Sequence, residues 1–406
     1  MVEYIICFAL AFIVAFSATP VAKKLSFKVG AVDIPKDGRR MHKKPIARLG
    51  GVAIVSGFLI TILFYVIGYF VDREGFFTPD KQLLGLIGGS AIIVALGIVD
   101  DIKSLDAKIK LVFQVLAAMV VVLSGTRIVN FTNPFSPEGI SFLSDYISYP
   151  LTVFWIVGIT NAINLIDGLD GLAAGVSSIA SLSLFFVSLI TGDFDTAFIT
   201  AALAGSSLGF LPYNFNPAKI FMGDTGATFL GFTLGVISIQ GMIKSYAALA
   251  IAIPILVLGL PLFDTLFAII RRVVKRKPIM QADRGHLHHK LMDMGLSQKQ
   301  SVGVMYVTSS VLGLCAIVLA DKGALSAIIL IIAVSAFVIA GTRYMNEMNS
   351  DEYQAGGGEE EGRPEGEAKT ELPDGQDNGK ESEGKEFKDG KDSKMVTGDI
   401  KPETQH

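Results

Sequence analysis

The chain has 406 residues, of which 51% are hydrophobic and 18% charged, with a formal net charge of −3 at pH 7. A mean hydropathy of +0.52 is far above that of water-soluble globular domains, so water is excluded as the main solvent. No nucleic acid is among the expected partners.

Eleven apolar runs able to cross a hydrocarbon core of about 30 Å lie at 4–19, 49–71, 82–99, 109–124, 151–166, 172–190, 196–211, 227–243, 246–270, 301–320 and 323–341. The expected fold class is therefore all-α: a polytopic membrane helical bundle of about eleven transmembrane helices. The first run carries Glu3 and no Lys or Arg ahead of it, so it lacks the basic flank of a cleaved signal and is read as a span. Cys7 and Cys315 both fall inside apolar runs and are expected to be small buried hydrophobes.

The connection after the first span, VDIPKDGRRMHKKPIARLGG, holds Asp33, Arg39, His42 and Arg48 before the pair Gly50 and Gly51. Arg39 and Arg48 are candidate phosphate contacts, because a guanidinium fork matches phosphate geometry. Its lysines are assigned to membrane-side charge. After the third span comes VDDIKSLDAKIK, with Asp100 and Asp101 adjacent, then Asp106, Lys108 and Lys110. After the fifth, NAINLIDGLDGLAAG sets Asn161 three residues before Asn164 and Asp167 three before Asp170, a spacing that puts each pair on one face of a helix. After the seventh, NPAKIFMGDTGAT carries Asp224 in a glycine-flanked turn.

Three acidic connections on one side of a membrane suit a magnesium site that faces phosphates. A pyrophosphate repels carboxylates unless a hard divalent cation lies between them, and magnesium takes only one or two ligands from protein. The remaining carboxylates are then available to position or deprotonate an attacking oxygen, with Lys108 or Lys110 offsetting phosphate charge.

In the ninth run, Asp264 is the one acid well inside a span, seven residues or about 10 Å from the basic cluster that begins at Arg271. Two readings stay open: a group that reaches the active face, or a polar residue at a kink made by Pro254 and Pro261 and paired with a neighbour. The following connection, RRVVKRKPIMQADRGHLHHKLMDMGLSQKQ, gathers His286, His288 and His289 beside Arg284 and Lys290. Zinc would want Cys or a helical i, i+4 His pair, and neither is here. Donation to a pyrophosphate or sugar hydroxyl fits better.

Connections after odd-numbered spans carry 21 Lys and Arg and those after even-numbered spans carry 5. That bias puts the N-terminus outside, the C-terminus in the cytoplasm and the acidic connections on the cytoplasmic face. From about Arg343 there are 9 basic and 18 acidic residues and few large apolar ones. Domains are therefore expected at 1–344, a membrane-embedded body, and 345–406, a disordered charged cytoplasmic tail.

VDDIKSLDAK, NAINLIDGLDGLAAG, FMGDTGAT and DRGHLHHKLMDMGLS, in that order on alternate connections, resemble the polyprenyl-phosphate N-acetylhexosamine-1-phosphate transferases. The resemblance covers about Met1 to Tyr344. Leu287 interrupts the histidines, which is similar to the branch that uses UDP-N-acetylglucosamine. The sister branch, which transfers phospho-N-acetylmuramoyl-pentapeptide, usually has three in a row. The run GAVDIPKDGRRMHKKPIARLGG is also similar to the enzymes that initiate teichoic acid.

This resemblance implies that Asn164 and Asp224 hold Mg2+, with Mn2+ as a substitute, and that Asp100 and Asp101 serve the attacking lipid phosphate. Asp167 joins them as a candidate catalytic carboxylate and Lys110 meets phosphate. Phe221 would stack on uracil, with Gly168 and Asp170 near the base, and His286, His288 and His289 would contact pyrophosphate or sugar. The expected partners are UDP-N-acetylglucosamine, undecaprenyl phosphate and membrane lipids, and the sequence permits a homodimer. The reaction implied is transfer of N-acetylglucosamine-1-phosphate to undecaprenyl phosphate at the cell membrane, with release of UMP, as the first step of an envelope polymer. The alternatives weighed are the muramoyl-pentapeptide transferase, a secondary transporter, which would want more polar features at mid-membrane, and a CDP-alcohol phosphotransferase, whose DGxxAR segment is missing.

Overall fold

The computed structural model describes residues 1–35, 44–72, 79–132, 140–244, 251–276, 285–326 and 328–332. They belong to a unit spanning Met1–Thr342, and Arg39, His42, Arg284 and the segment from 333 onward lie outside them. The described part is an all-α integral membrane protein. Seven of its helices are long and apolar enough to cross a membrane: α1 (Val2–Val29), α2 (Gly51–Asp72), α3 (Lys81–Lys103), α5 (Asp145–Ile166), α6 (Leu172–Thr191), α7 (Phe194–Asn214) and α12 (Gln298–Lys322). Between them run α4 (Ala107–Leu123), α8 (Gly223–Lys244), the short α9 (Ala252–Val257), α10 (Gly259–Val274) and α11 (Leu287–Asp293).

α1 is longer than its apolar run. At 28 residues it outreaches the hydrocarbon core, and its last turns carry Lys23, Lys24 and Lys28 before Gly30 ends it in the left-handed region at φ 80°. Small residues bring α1 against α7. A Cβ at Gly205 or Gly209 would strike the carbonyls of Phe8 and Phe12, so these glycines allow a backbone approach that larger residues would block. α8 is the centre of the bundle. Phe229, Phe232, Leu234, Val236, Ile237 and Ile239 are fully buried, as expected of a helix that is apolar all round and wrapped by others. Cys7 and Cys315 are free and buried.

The apolar run at 246–270 is not one straight helix. It is divided at Leu258 between α9 and α10, three residues before Pro261, whose ring removes the helical donor to the Val257 carbonyl. Two antiparallel pairs complete the fold: β1 (Val32–Asp33) with β2 (Ile46–Ala47), and β3 (Asn130–Thr132) with β4 (Ile140–Phe142).

Candidate active site

Three helix ends meet at glycines. A Cβ at Gly51, which opens α2, would overlap the backbone of Gly226, and one at Gly97 on α3 would come 2.5 Å from Thr225 Cα. Gly223, which opens α8, has φ 70° and its missing Cβ leaves room for the Arg48 carbonyl. The chain after β2 is clipped to the segment before α8: Phe221 N–H donates to the Ala47 carbonyl at 2.8 Å, Gly50 N–H to Phe221 at 3.0 Å and Gly51 N–H to Met222 at 2.8 Å. These bonds carry Arg48 to Asp224, where its Nη2 lies 3.4 Å from Oδ2.

The adjacent acids of α3 face different partners. Asp101, fully buried at its side chain, caps α8 from outside. Its Oδ1 accepts the Asp224 N–H at 2.9 Å, and its Oδ2 accepts the Thr225 N–H at 3.0 Å and the Thr225 hydroxyl at 2.6 Å. A carboxylate on the first N–H groups of a helix satisfies otherwise unpaired donors and meets the positive end of the dipole. Asp100 instead accepts the Leu105 N–H at 2.6 Å through Oδ1 and pairs with Lys110 through Oδ2. Lys110 Nζ is also 3.7 Å from Asp224 Oδ1, so it bridges the two acids. Ser104 ends α3 at φ 51°, a left-handed position. Asp106 accepts the Lys108 N–H and serves as the cap of α4.

A pocket of about 790 Å³ opens beside this cluster, and among its lining residues are Arg48, Asn164, Asp167, Gly168, Asp170, Phe221, Asp224 and His289. Asp167 is pushed up to about 7, first by loss of solvent and then by the negative charges of Asp224 and Asp101, with Arg48 opposing. Among the described residues, Asp100, Asp101, Asp167 and Asp224 face only Arg48 and Lys110 as cations, so the cluster keeps an excess of negative charge even with Asp167 partly protonated near neutral pH. Asn164 and Asp224 offer hard oxygens on that wall, and a divalent cation would cancel the excess, so the donor set fits magnesium. Among the described residues no three His, Cys, Asp or Glu side chains are grouped as a metal site.

Asp170 is held in place. Its Oδ2 accepts from Asn216 Nδ2 and from Ala218 N–H, both at 3.0 Å, and Asn216 also donates to Gln298 Oε1 at 2.7 Å. Asn214 ties two loops, accepting the Gly171 N–H at 3.1 Å and donating to the Ile220 carbonyl at 3.0 Å. Asn214, Asn216, Gln298 and Asp33 line the pocket without having been assigned to it from sequence. The two asparagines of YNFNPAK, ahead of the glycine turn, were the available signal.

The histidines divide. His289 lines the pocket, whereas His286 and His288 are 5% and 2% exposed and stand behind it. His288 packs on Gly168, where a Cβ would meet its Nε2 at 2.6 Å. Burial pushes the His288 imidazole down to about 4, with neighbouring His289 adding to the fall. His286 Nδ1 pairs with Asp264 Oδ2 at 2.8 Å. The two open readings of Asp264 meet, since its partner is a residue of the histidine motif.

An apolar groove of about 600 Å³ runs between α4 and α5, lined by Leu111, Val115, Met119, Val153, Phe154 and Val157 among others and reaching Asn161. Asn161 donates to Gln114 Oε1 at 2.8 Å. Asn164, one helical turn on, faces the polar pocket.

Residues 83–242 match glycosyl transferase family 4. The chain is 42% identical over 319 residues to the probable undecaprenyl-phosphate N-acetylglucosaminyl 1-phosphate transferase of Bacillus subtilis (strain 168), covering 79% of this chain and 86% of that one. It is 34% identical over 348 residues to the decaprenyl-phosphate N-acetylglucosaminephosphotransferase of Mycolicibacterium smegmatis, covering 80% and 85%. A phospho-N-acetylmuramoyl-pentapeptide-transferase of Staphylococcus aureus (strain MSSA476) is 31% identical over 325 residues, covering 75% and 95%. With these lengths of shared sequence and a membrane-embedded body, the chain belongs to glycosyl transferase family 4 and is a glycosyl-1-phosphate transferase of the polyprenyl-phosphate N-acetylhexosamine-1-phosphate transferase group.

Proposed function

We propose that the chain transfers N-acetylglucosamine-1-phosphate from UDP-N-acetylglucosamine to undecaprenyl phosphate and so initiates an envelope polymer such as teichoic acid. One observation carries the reading: α5 lines an apolar groove at Asn161 and a charged pocket at Asn164. A lipid tail and a nucleotide diphosphate can therefore meet the same helix at successive turns of one face. A phosphate oxygen of the acceptor forms a bond to the β-phosphorus. The bond from that phosphorus to the bridging oxygen breaks, and UMP leaves with the electron pair.

Asp224 and Asn164 would hold magnesium, which when bound would supply positive charge to the pyrophosphate. Lys110, placed between Asp100 and Asp224, offsets acceptor charge, and Asp100 orients the attacking phosphate through that lysine. Asp101 acts by fixing the start of α8. Phe221 stacks on the uracil, with Gly168 and the immobilised Asp170 at its edge, and His289 with Arg48 meets the pyrophosphate or sugar. Arg39 and Arg284 are assigned to phosphate on sequence alone. With eleven apolar runs, the excess of basic residues on the odd connections supports an N-terminus outside and the active face in the cytoplasm, and residues 1–344, which hold all four motifs, are taken as the catalytic unit with 345–406 outside it.

The test is a competition. Detergent-solubilised protein is given undecaprenyl phosphate with UDP-N-acetylglucosamine and the muramoyl-pentapeptide nucleotide together. UMP should form with only the N-acetylglucosamine lipid, and a muramoyl-pentapeptide lipid product would overturn the donor assignment.

A further inference from the structure

Asp264 lies on α10, within the apolar run, and is only 9% exposed. An acid there is expensive unless it is partnered, and both of its oxygens go to one short stretch of chain. Oδ2 is 2.8 Å from His286 Nδ1, and Oδ1 accepts the Leu287 N–H at 2.8 Å. Seven residues on, and so on the same face of α10, Arg271 Nη1 donates to the Gly285 carbonyl at 2.9 Å. Its guanidinium fills the space that a Cβ at residue 285 would need. One helix thus grips residues 285, 286 and 287 in succession.

An ionised carboxylate only accepts, so Nδ1 of His286 carries the hydrogen and the tautomer is set. From His286 the rings continue. His286 and His288 are parallel within 8° at 5.8 Å, and His288 meets His289 at 4.2 Å. The series ends on His289 at the pocket wall, while Gly168 receives the middle ring.

We infer that Asp264 is a positioning residue for the nucleotide-sugar donor: it anchors His286 in one tautomer and, through the His288 ring that stacks on it and touches His289 at a tilt, sets His289 at the wall of the pocket. The inference rests on the donor reading above. It gives the interrupted histidine motif two kinds of member, a pedestal of two buried rings and one ring that meets ligand. It also assigns the intramembrane acid to the donor side of the reaction and not to the lipid acceptor.

Asp264→Asn is the informative change. The amide keeps one acceptor for Leu287 N–H but turns an N–H toward His286 Nδ1, which must then present a lone pair. With the full chain in detergent, the KM for UDP-N-acetylglucosamine should rise about tenfold, the size of one lost charge-assisted bond, while the KM for undecaprenyl phosphate stays within about twofold. His286→Gln should do the same, and the double variant should be no worse than the poorer single one, because both break one linkage. Nitrogen-15 spectra of histidine-labelled, unaltered protein should show His286 protonated on Nδ1, and those of Asp264→Asn should show it on Nε2. An unchanged donor KM, an equal rise in both KM values, additive single effects, or an Nε2-protonated His286 in the unaltered protein would each overturn the inference. The tautomer is read without substrate. If the unaltered chain turned over no UDP-N-acetylglucosamine, the functional reading would fail while the spectra still judged Asp264 on its own.

Discussion

Replacing Asp101 with Ala should damage the fold before it damages the chemistry, although its neighbour Asp100 should behave in the opposite way. Asp101 accepts three hydrogen bonds from the first residues of α8, at 2.9, 3.0 and 2.6 Å, and its side chain is fully buried. Bonds to a charged acceptor are each worth about 1.5 kcal/mol net, and the donors stranded by Ala are buried. The cost is therefore about 4 kcal/mol, which should lower Tm by on the order of 5–10 °C. Asp100 is 2% exposed at its side chain and pairs with a Lys110 that is 26% exposed; Asn keeps the shape and an acceptor but strands the lysine charge, so Asp100→Asn should cost about 1–3 kcal/mol, less than Asp101→Ala. Unfolding can be followed with a thiol-reactive dye, since Cys7 and Cys315 are free and buried. In the same preparation turnover is measured well below Tm. Asp101→Ala should melt earliest, and Asp100→Asn should melt between it and the unaltered protein, with turnover all but lost. An Asp101→Ala protein with unchanged Tm would refute the capping argument.

Asp224→Asn should need far more magnesium to reach a given rate, whereas excess magnesium should not rescue Asp100→Asn; the reverse pattern in magnesium titrations would exchange their roles. Gly168→Ala puts a methyl group 2.6 Å from His288 Nε2, so the donor KM should rise by roughly tenfold with the acceptor KM steady, and unchanged steady-state kinetics would refute that packing. His288 titrates near 4 when folded against about 6.5 when unfolded, so between these values the unfolded chain binds more protons and stability must fall as pH drops from about 6.5 to 4. Tm measured across that window should decline, and less steeply in His288→Gln; equal slopes would remove His288 from the account. Single cysteines at Ser104 and Ser297 should resist impermeant reagents in intact cells while those at Asp145 and Phe194 react, and the opposite result would invert the topology.

Hydropathy alone made the bundle legible, because each apolar run must satisfy its backbone within a helix. In the run at 246–270 the average stays apolar across Leu258, where the helix is interrupted, and the signal for that break was the pair Pro254 and Pro261, not hydropathy. The pocket was legible as a set of acidic connections, since Asn164, Asp167, Asp170 and Asp224 do share one wall. What each acid does was not. Asp100 and Asp101 are identical letters side by side, and only the approach of α8 through Gly97 and Gly51 decides that one caps a helix and the other meets Lys110. The histidines likewise read as one cluster, yet packing against Gly168 and Asp264 withdraws two of the three from the pocket. Hydrogen bonds between distant segments, such as Phe221 to Ala47, leave no periodic trace in a sequence.

The central claim is that the bond broken lies between the two donor phosphates. UDP-N-acetylglucosamine labelled at the β-phosphate, incubated with the purified full chain, magnesium and undecaprenyl phosphate, separates the possibilities in one partition. The label should pass into the organic phase with the lipid, in step with unlabelled UMP in the aqueous phase. Labelled UDP remaining in the aqueous phase beside a sugar-bearing lipid would mean transfer of the sugar alone, and would contradict the account.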